Sequence, residues 1–89
     1  TIFKDIHPAA PVHYLVVPNQ HIPSVGEIDP ADELILGKLF SGAKLAAEKA
    51  GLKDSGYRLI VNTGPDAGQE IFHIHMHLLG GAKMKHPMG

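Results

Sequence analysis

His73-Ile74-His75-Met76-His77-Leu78-Leu79-Gly80-Gly81 places three histidines at every second position of an apolar run. Side chains alternate faces along a β-strand with a period of two. His73, His75 and His77 therefore share one face, while Ile74, Met76 and Leu78 point into a core. Same-face neighbours lie ~7 Å apart along a strand, which brings three imidazoles to one small-molecule-sized patch. Helical spacing would scatter them around a cylinder. One histidine in a strand is usually a packed or hydrogen-bonded structural residue. Three in strict alternation within so apolar a run mark a place for chemistry or metal binding.

Working outward, residues 63–70 (TGPDAGQE) form a Gly/Pro/Asp loop that leads straight into the histidine strand, residues 71–79. Gly80-Gly81 closes that strand. Residues 57–62 (YRLIVN) and 12–17 (VHYLVV) read as strands rich in β-branched and aromatic residues, the latter stopped by Pro18. Residues 1–6 read as a strand end. Asp29 as N-cap and Pro30 at the first helical position open a helix, with Asp32 and Glu33 near its positive pole. Leu36, Leu39, Phe40, Ala43, Ala46, Ala47 and Ala50 form its packing face, and Gly51 ends it as the C′ residue. Gly37 and Gly42 within it cost about 1 kcal/mol each relative to Ala. A close backbone contact at those positions, with another subunit, would offset that cost. Strands separated by one helix and joined by short loops indicate an α+β fold: an antiparallel sheet with one long helix on a face.

The 89 residues suit one domain, 1–89, with a thin core. A net charge of -1 and 19% charged residues provide no basic block for polymeric nucleic acid, and no stretch approaches the ~20 apolar residues of a membrane span. With no cysteine, disulfides, thiolate metal sites and Cys nucleophiles are excluded within these residues. That composition fits a reducing compartment, and a cytoplasmic location is expected. The chain opens Thr1-Ile2-Phe3, as if in mid-strand, so N-terminal elements are expected to be lacking.

Three chemistries use such a histidine row. Two imidazoles with a third ligand bind zinc, His21, an Asp or a Glu completing the set. One imidazole attacks a phosphorus or acyl centre and forms a covalent intermediate. A pair of imidazoles performs acid–base catalysis. The loop at 62–70 is rich in N–H groups that hold phosphate oxygens when arranged as a nest. Glu70 borders the site and disfavours a second anion, which argues against a polyphosphate on that side.

The run from His73 to Leu79 matches His-φ-His-φ-His-φ-φ and resembles the signature of the HIT (histidine triad) family of nucleotide hydrolases and transferases. Its surroundings resemble the Hint branch, the purine nucleoside phosphoramidases. The similarity is carried by Phe3-Lys4-Asp5-Ile6 with Pro8 and Ala10-Pro11, and by His13-Tyr14-Leu15-Val16-Val17-Pro18 with His21-Ile22. Tyr57-Arg58-Leu59-Ile60-Val61-Asn62, Gly68-Gln69 and Leu78-Leu79-Gly80-Gly81 extend it.

The resemblance implies that His75 is the nucleophile toward the α-phosphorus of a purine nucleoside phosphoramidate, forming a nucleotidyl-histidine that water hydrolyses to the monophosphate. It implies His77 at the phosphate and leaving group, where an imidazolium would protonate the departing amine. His73 and His21 support them. Asn62, Gly68, Gln69 and Glu70 match phosphate-side positions. Asp5 matches the carboxylate that receives the ribose hydroxyls, with Phe3 and Ile6 as walls of the base pocket. Glu70 stands where many relatives carry a serine, which leaves its backbone N–H as the contact. His86 replaces a tryptophan of animal members; with His7 and His13 it is read as structural or solvent-exposed. The resemblance further implies a homodimer whose sheets join and no metal or other cofactor in catalysis. Alternatives within reach of the same residues are a dinucleoside polyphosphate hydrolase or nucleotidyl transferase, and a nucleotide-binding regulatory scaffold with little catalysis.

Overall fold

The computed structural model describes residues 1–85. Four strands, β1 (Ile2–Lys4), β2 (Val12–Val16), β3 (Tyr57–Ile60) and β4 (Met76–Gly80), form one antiparallel sheet in the order β1-β2-β4-β3. A single long helix, α1 (Glu33–Lys49), lies between β2 and β3 in the chain and packs on one face. This is the expected α+β architecture.

Strand β4 is central, and its alternation divides the molecule into two faces. Ile74, Met76 and Leu78 are 2%, 1% and 0% exposed. Met76 packs with Val16, Leu39 and Ala43, and Leu78 with Ala46, Ala47 and Leu52. Burying a side chain of this size contributes about 1.5–3 kcal/mol, so these three form the strongest argument for the register. The helix meets them through the small residues of its stripe, which let its backbone approach the sheet. Phe40, expected on that stripe, is exposed at its flank.

The histidine strand is shorter than its alternation predicts. Regular pairing runs from Met76 to Gly80, because the last partners on either side are Val16↔Met76 and Ile60↔His77. Beyond them β4 has no neighbouring strand, and residues 71–75 leave the ladder. Ile74 N–H instead donates to Ile22 C=O at 2.6 Å, pinning the segment to the loop after β2. The in/out alternation survives without the ladder. Pairing also ends β1, β2 and β3 inside the predicted spans 1–6, 12–17 and 57–62.

Asp29 does cap, though on a three-ten turn, Pro30–Asp32, that leads into α1. Its carboxylate accepts from Ala31 N–H at 2.8 Å, while the Asp32 carboxylate accepts from Asp29 N–H at 3.1 Å, a reciprocal capping box. At the other end Leu52 N–H reaches Ala47 C=O and Gly51 N–H reaches Glu48 C=O, a Schellman closure with Gly51 at φ +77°. That turn drives Leu52 into the core beneath Gly80. Gly42 would meet Ile2 and Val16 only at ordinary contact distance if it carried a Cβ, and Gly37 faces open space. Neither helix glycine is thus required by contacts among the described residues.

Gly81 has φ +89°, and a Cβ there would lie 3.0 Å from Pro11 Cβ. Left-handed backbone costs an L-residue about 1–2 kcal/mol. Gly81→Ala is therefore expected to destabilise the fold by at least that amount, read as a lowered urea midpoint at unchanged slope.

Candidate active site

The sheet face opposite α1 carries the titratable groups. Cross-strand partners in an antiparallel pair project to the same face, and the registers Phe3↔Leu15, Leu15↔His77 and Ile60↔His77 make one row across all four strands. His77 is the polar member of that row. Its diagonal neighbour on β2 is His13, two residues from Leu15 and opposite Leu79. Diagonal positions lie within reach of aromatic side chains, and His13 Nε2 is 2.8 Å from His77 Nδ1.

The three histidines of the triad do not present one uniform row. His75 and His77 face each other edge-on with centroids 5.2 Å apart. His73 turns toward the loop after β2: its Nε2–H donates to Pro18 C=O at 2.9 Å, and its Nδ1 lies 3.2 Å from His21 Nδ1. With the His73 proton on Nε2, its Nδ1 accepts from His21. His73 also acts through its backbone, since its carbonyl accepts from His75 Nδ1–H at 2.9 Å. In the neutral ring that bond leaves the His75 lone pair on Nε2.

Asp5 sits at the turn after β1. One carboxylate oxygen accepts from His7 N–H at 2.7 Å, and the other lies 3.4 Å from His13 Nε2. Phe3 shares the histidine face through its register with Leu15 but is half exposed, and Ile6 is 86% exposed. Both are exposed apolar residues flanking Asp5 in the chain. His7 is exposed as expected, and His86 lies outside the described residues.

The loop before the triad is organised around Gln69, which is buried. Its Oε1 accepts from Gly64 N–H at 2.8 Å, and its amide hydrogens go to Pro23 C=O and Ile71 C=O at 2.7 and 3.1 Å. Both side-chain donors are thereby committed, and its backbone N–H is bonded to Gly64 C=O. Gln69 thus shapes the loop and has no hydrogen left for a phosphate. The Gly68 N–H likewise closes the three-ten turn onto Pro65 C=O. Glu70 is exposed, and Asn62 is half-buried just past the end of β3 with no hydrogen bond to the rest of the described chain.

His13 is the functional neighbour that its sequence context conceals. It is 8% exposed and joins Asp5 to His77. The only available signal was parity: position 13 shares a face with 15, and β2 must pair with β4 for that to matter. Asp5, His13 and His77 also offer one ligand atom each within 4.8 Å of one another. Against metal binding there, Ala9 N–H donates to His13 Nδ1 at 3.0 Å, whereas a metal-bound imidazole turns its second nitrogen outward as a donor. The trio is built as a hydrogen-bonded network.

A groove of about 1070 Å³ runs beside β3, with Pro11, Ile60, Leu79 and Asn62 among its walls. None of the described histidines lines it. Among the described residues no helix is long and apolar enough to cross a membrane.

Residues 1–84 match the HIT domain. The chain is 49% identical over 81 residues to the purine nucleoside phosphoramidase of Escherichia coli K12, covering 91% of this chain and 68% of that protein. Among solved structures it resembles a HIT family hydrolase from Legionella pneumophila (TM-score 0.94, 42% identity, 99% of this chain and 79% of that one). A HIT family hydrolase from Clostridium thermocellum gives a TM-score of 0.93 at 47% identity, covering 98% and 76%. The chain belongs to the HIT domain family.

His77 has its pKa lowered from the ordinary histidine value, first by burial, then by the neighbouring His75 and His13, with Asp5 opposing. The unfolded chain then takes up a proton near pH ~6.5 that the folded chain refuses until lower pH. Where the unfolded state binds more protons, stability rises with pH. The contribution is present above ~6.5 and is lost as pH falls through the folded value. Urea unfolding at stepped pH below 7 should show a shallower loss of stability in His77→Gln than in the parent chain.

Proposed function

We propose that this HIT domain is a hydrolase that cleaves the P–N bond of purine nucleoside phosphoramidates through a nucleotidyl-histidine. The observation that carries the proposal is the bond from His75 Nδ1–H to the carbonyl of His73. It leaves the lone pair of the neutral ring on Nε2, as an imidazole nucleophile needs. The E. coli relative bears the name of this activity.

In this reading His75 Nε2 forms a bond to the α-phosphorus as the bond from phosphorus to the amine breaks. The amine departs after gaining one proton. Water then attacks phosphorus, the P–Nε2 bond breaks, and the proton borrowed for the amine is returned. The net reaction consumes one water and yields amine and nucleoside monophosphate. His77 lies beside His75 on the phosphate side. Asn62, whose amide has no bond within the described chain, donates to the phosphoryl oxygens, where a single preorganised donor is worth roughly 10²–10³ in rate. The backbone at Gly68 and Glu70 borders the same oxygens. Asp5 takes the ribose hydroxyls by releasing His7 N–H, and Phe3 with Ile6 forms the shelf for the base. His21 holds His73, and through it the carbonyl that orients the nucleophile.

A homodimer whose sheets join completes this reading, as the family resemblance implies. Sedimentation should give a dimer; a monomer at micromolar concentration would refute this assembly.

His75→Ala should lose about 10⁴-fold or more in kcat/KM, as seen when a covalent nucleophile is removed. Intact-mass spectrometry after rapid quenching with an adenosine phosphoramidate should show an AMP-sized adduct on the parent chain and none on the variant. Full activity in His75→Ala would rule the mechanism out.

A further inference from the structure

The direction of each hydrogen bond in the chain Ala9–His13–His77 is fixed from one end. A backbone amide can only donate, so Ala9 N–H, 3.0 Å from His13 Nδ1, requires a lone pair on that nitrogen. The His13 proton therefore sits on Nε2. Two acceptors face it there: His77 Nδ1 at 2.8 Å and the Asp5 carboxylate at 3.4 Å. A proton on Nε2 suits both, whereas a lone pair there would confront a carboxylate oxygen. The two anchors, on either side of the ring, agree. His77 Nδ1 must then be an acceptor, and the one hydrogen of its neutral ring lies on Nε2.

We infer that the Ala9 amide and the His13 ring together lock His77 as the Nε2–H tautomer, making it a hydrogen-bond donor to the phosphoryl group and not a cationic acid. The role, though not the lock, rests on the reading of the site as one for a phosphoryl substrate. It revises the imidazolium role that family resemblance implies for His77. A second proton on His77 would have to occupy Nδ1 and confront His13 Nε2–H across 2.8 Å, two donors head-on in a site where His13 is almost fully buried. Burial and the rings of His75 and His13 oppose the charged form for the same reason, with only the Asp5 carboxylate favouring it. His13 is accordingly a positioning residue that acts through His77. The proton taken up by a departing amine comes from solvent at the open side of the sheet, and the hydrolytic step returns it.

The lock predicts a nitrogen pattern that can be read without substrate. Long-range ¹H–¹⁵N spectra of the labelled chain at pH 7.5 should show both His13 and His77 with bare Nδ1 and protonated Nε2. His77 should keep that pattern below the ordinary histidine pKa of about 6.5. A proton on Nδ1 of either ring, or His77 titrating to imidazolium at or above that value, would overturn the inference. Ala9→Pro removes the anchoring N–H and should mix the tautomers of both rings; should it fail to fold, the parent spectra alone still decide. In turnover of an adenosine phosphoramidate, His77→Gln retains an acceptor for His13 and a donor for phosphate, so its kcat should fall by no more than about tenfold. Loss of a general acid would instead cost about 10²–10⁴, and a fall of that size would overturn the donor role. If the parent chain hydrolyses no phosphoramidate, the proposed activity fails while the spectra still test the lock.

Discussion

Everything in this domain hangs on the central position of β4, which is hydrogen-bonded on both edges and has different surroundings on its two faces. One face must be apolar because α1 covers it, and Met76 and Leu78 have essentially no exposure there. The other face carries the polar rings, with His13 buried and His75 and His77 half-buried. A slip of one residue would exchange the two sets, burying imidazoles against the helix and exposing the core. The register that stabilises the fold is thus the same one that presents His77 beside His13 and His75.

A second constraint is that the rings are oriented by main-chain groups. The His73 carbonyl, the Pro18 carbonyl and the Ala9 amide each bind one ring nitrogen. Backbone donors and acceptors cannot exchange roles, so they impose tautomers on the rings in contact with them. Side chains alone would leave the proton positions of such a cluster nearly degenerate. Loop geometry therefore carries chemical information, and the structural work of Gln69 belongs with it: its amide ties the segment before His73 to Pro23 and Gly64.

Much of this was legible from the residues alone. Period-two alternation assigned Ile74, Met76 and Leu78 to the core, and Gly51 announced the end of the helix. The family resemblance placed the chain where the HIT domain match puts it. Less legible were the places where pairing stops. Residues 71–75 read as strand because their alternation is perfect, yet a ladder needs neighbours, and β2 and β3 have ended by then. Phe40 read as core because helical spacing does not say how wide the covered stripe is. The family resemblance put Gln69 on the phosphate side, while in the fold its two amide hydrogens go to the carbonyls of Pro23 and Ile71.

The sequence by itself determined the two faces of β4 and the helix with its closing glycine, because each depends on local periodicity or local backbone preference; the candidates for nucleophile and phosphate contacts came from the family resemblance. Only the tertiary structure decided that His13 joins Asp5 to His77, that His73 turns to His21, and which ring nitrogens hold protons. Those facts depend on contacts between residues up to 64 positions apart. They are set by strand register and by which backbone group a loop brings within hydrogen-bonding distance, and neither is encoded in any one segment.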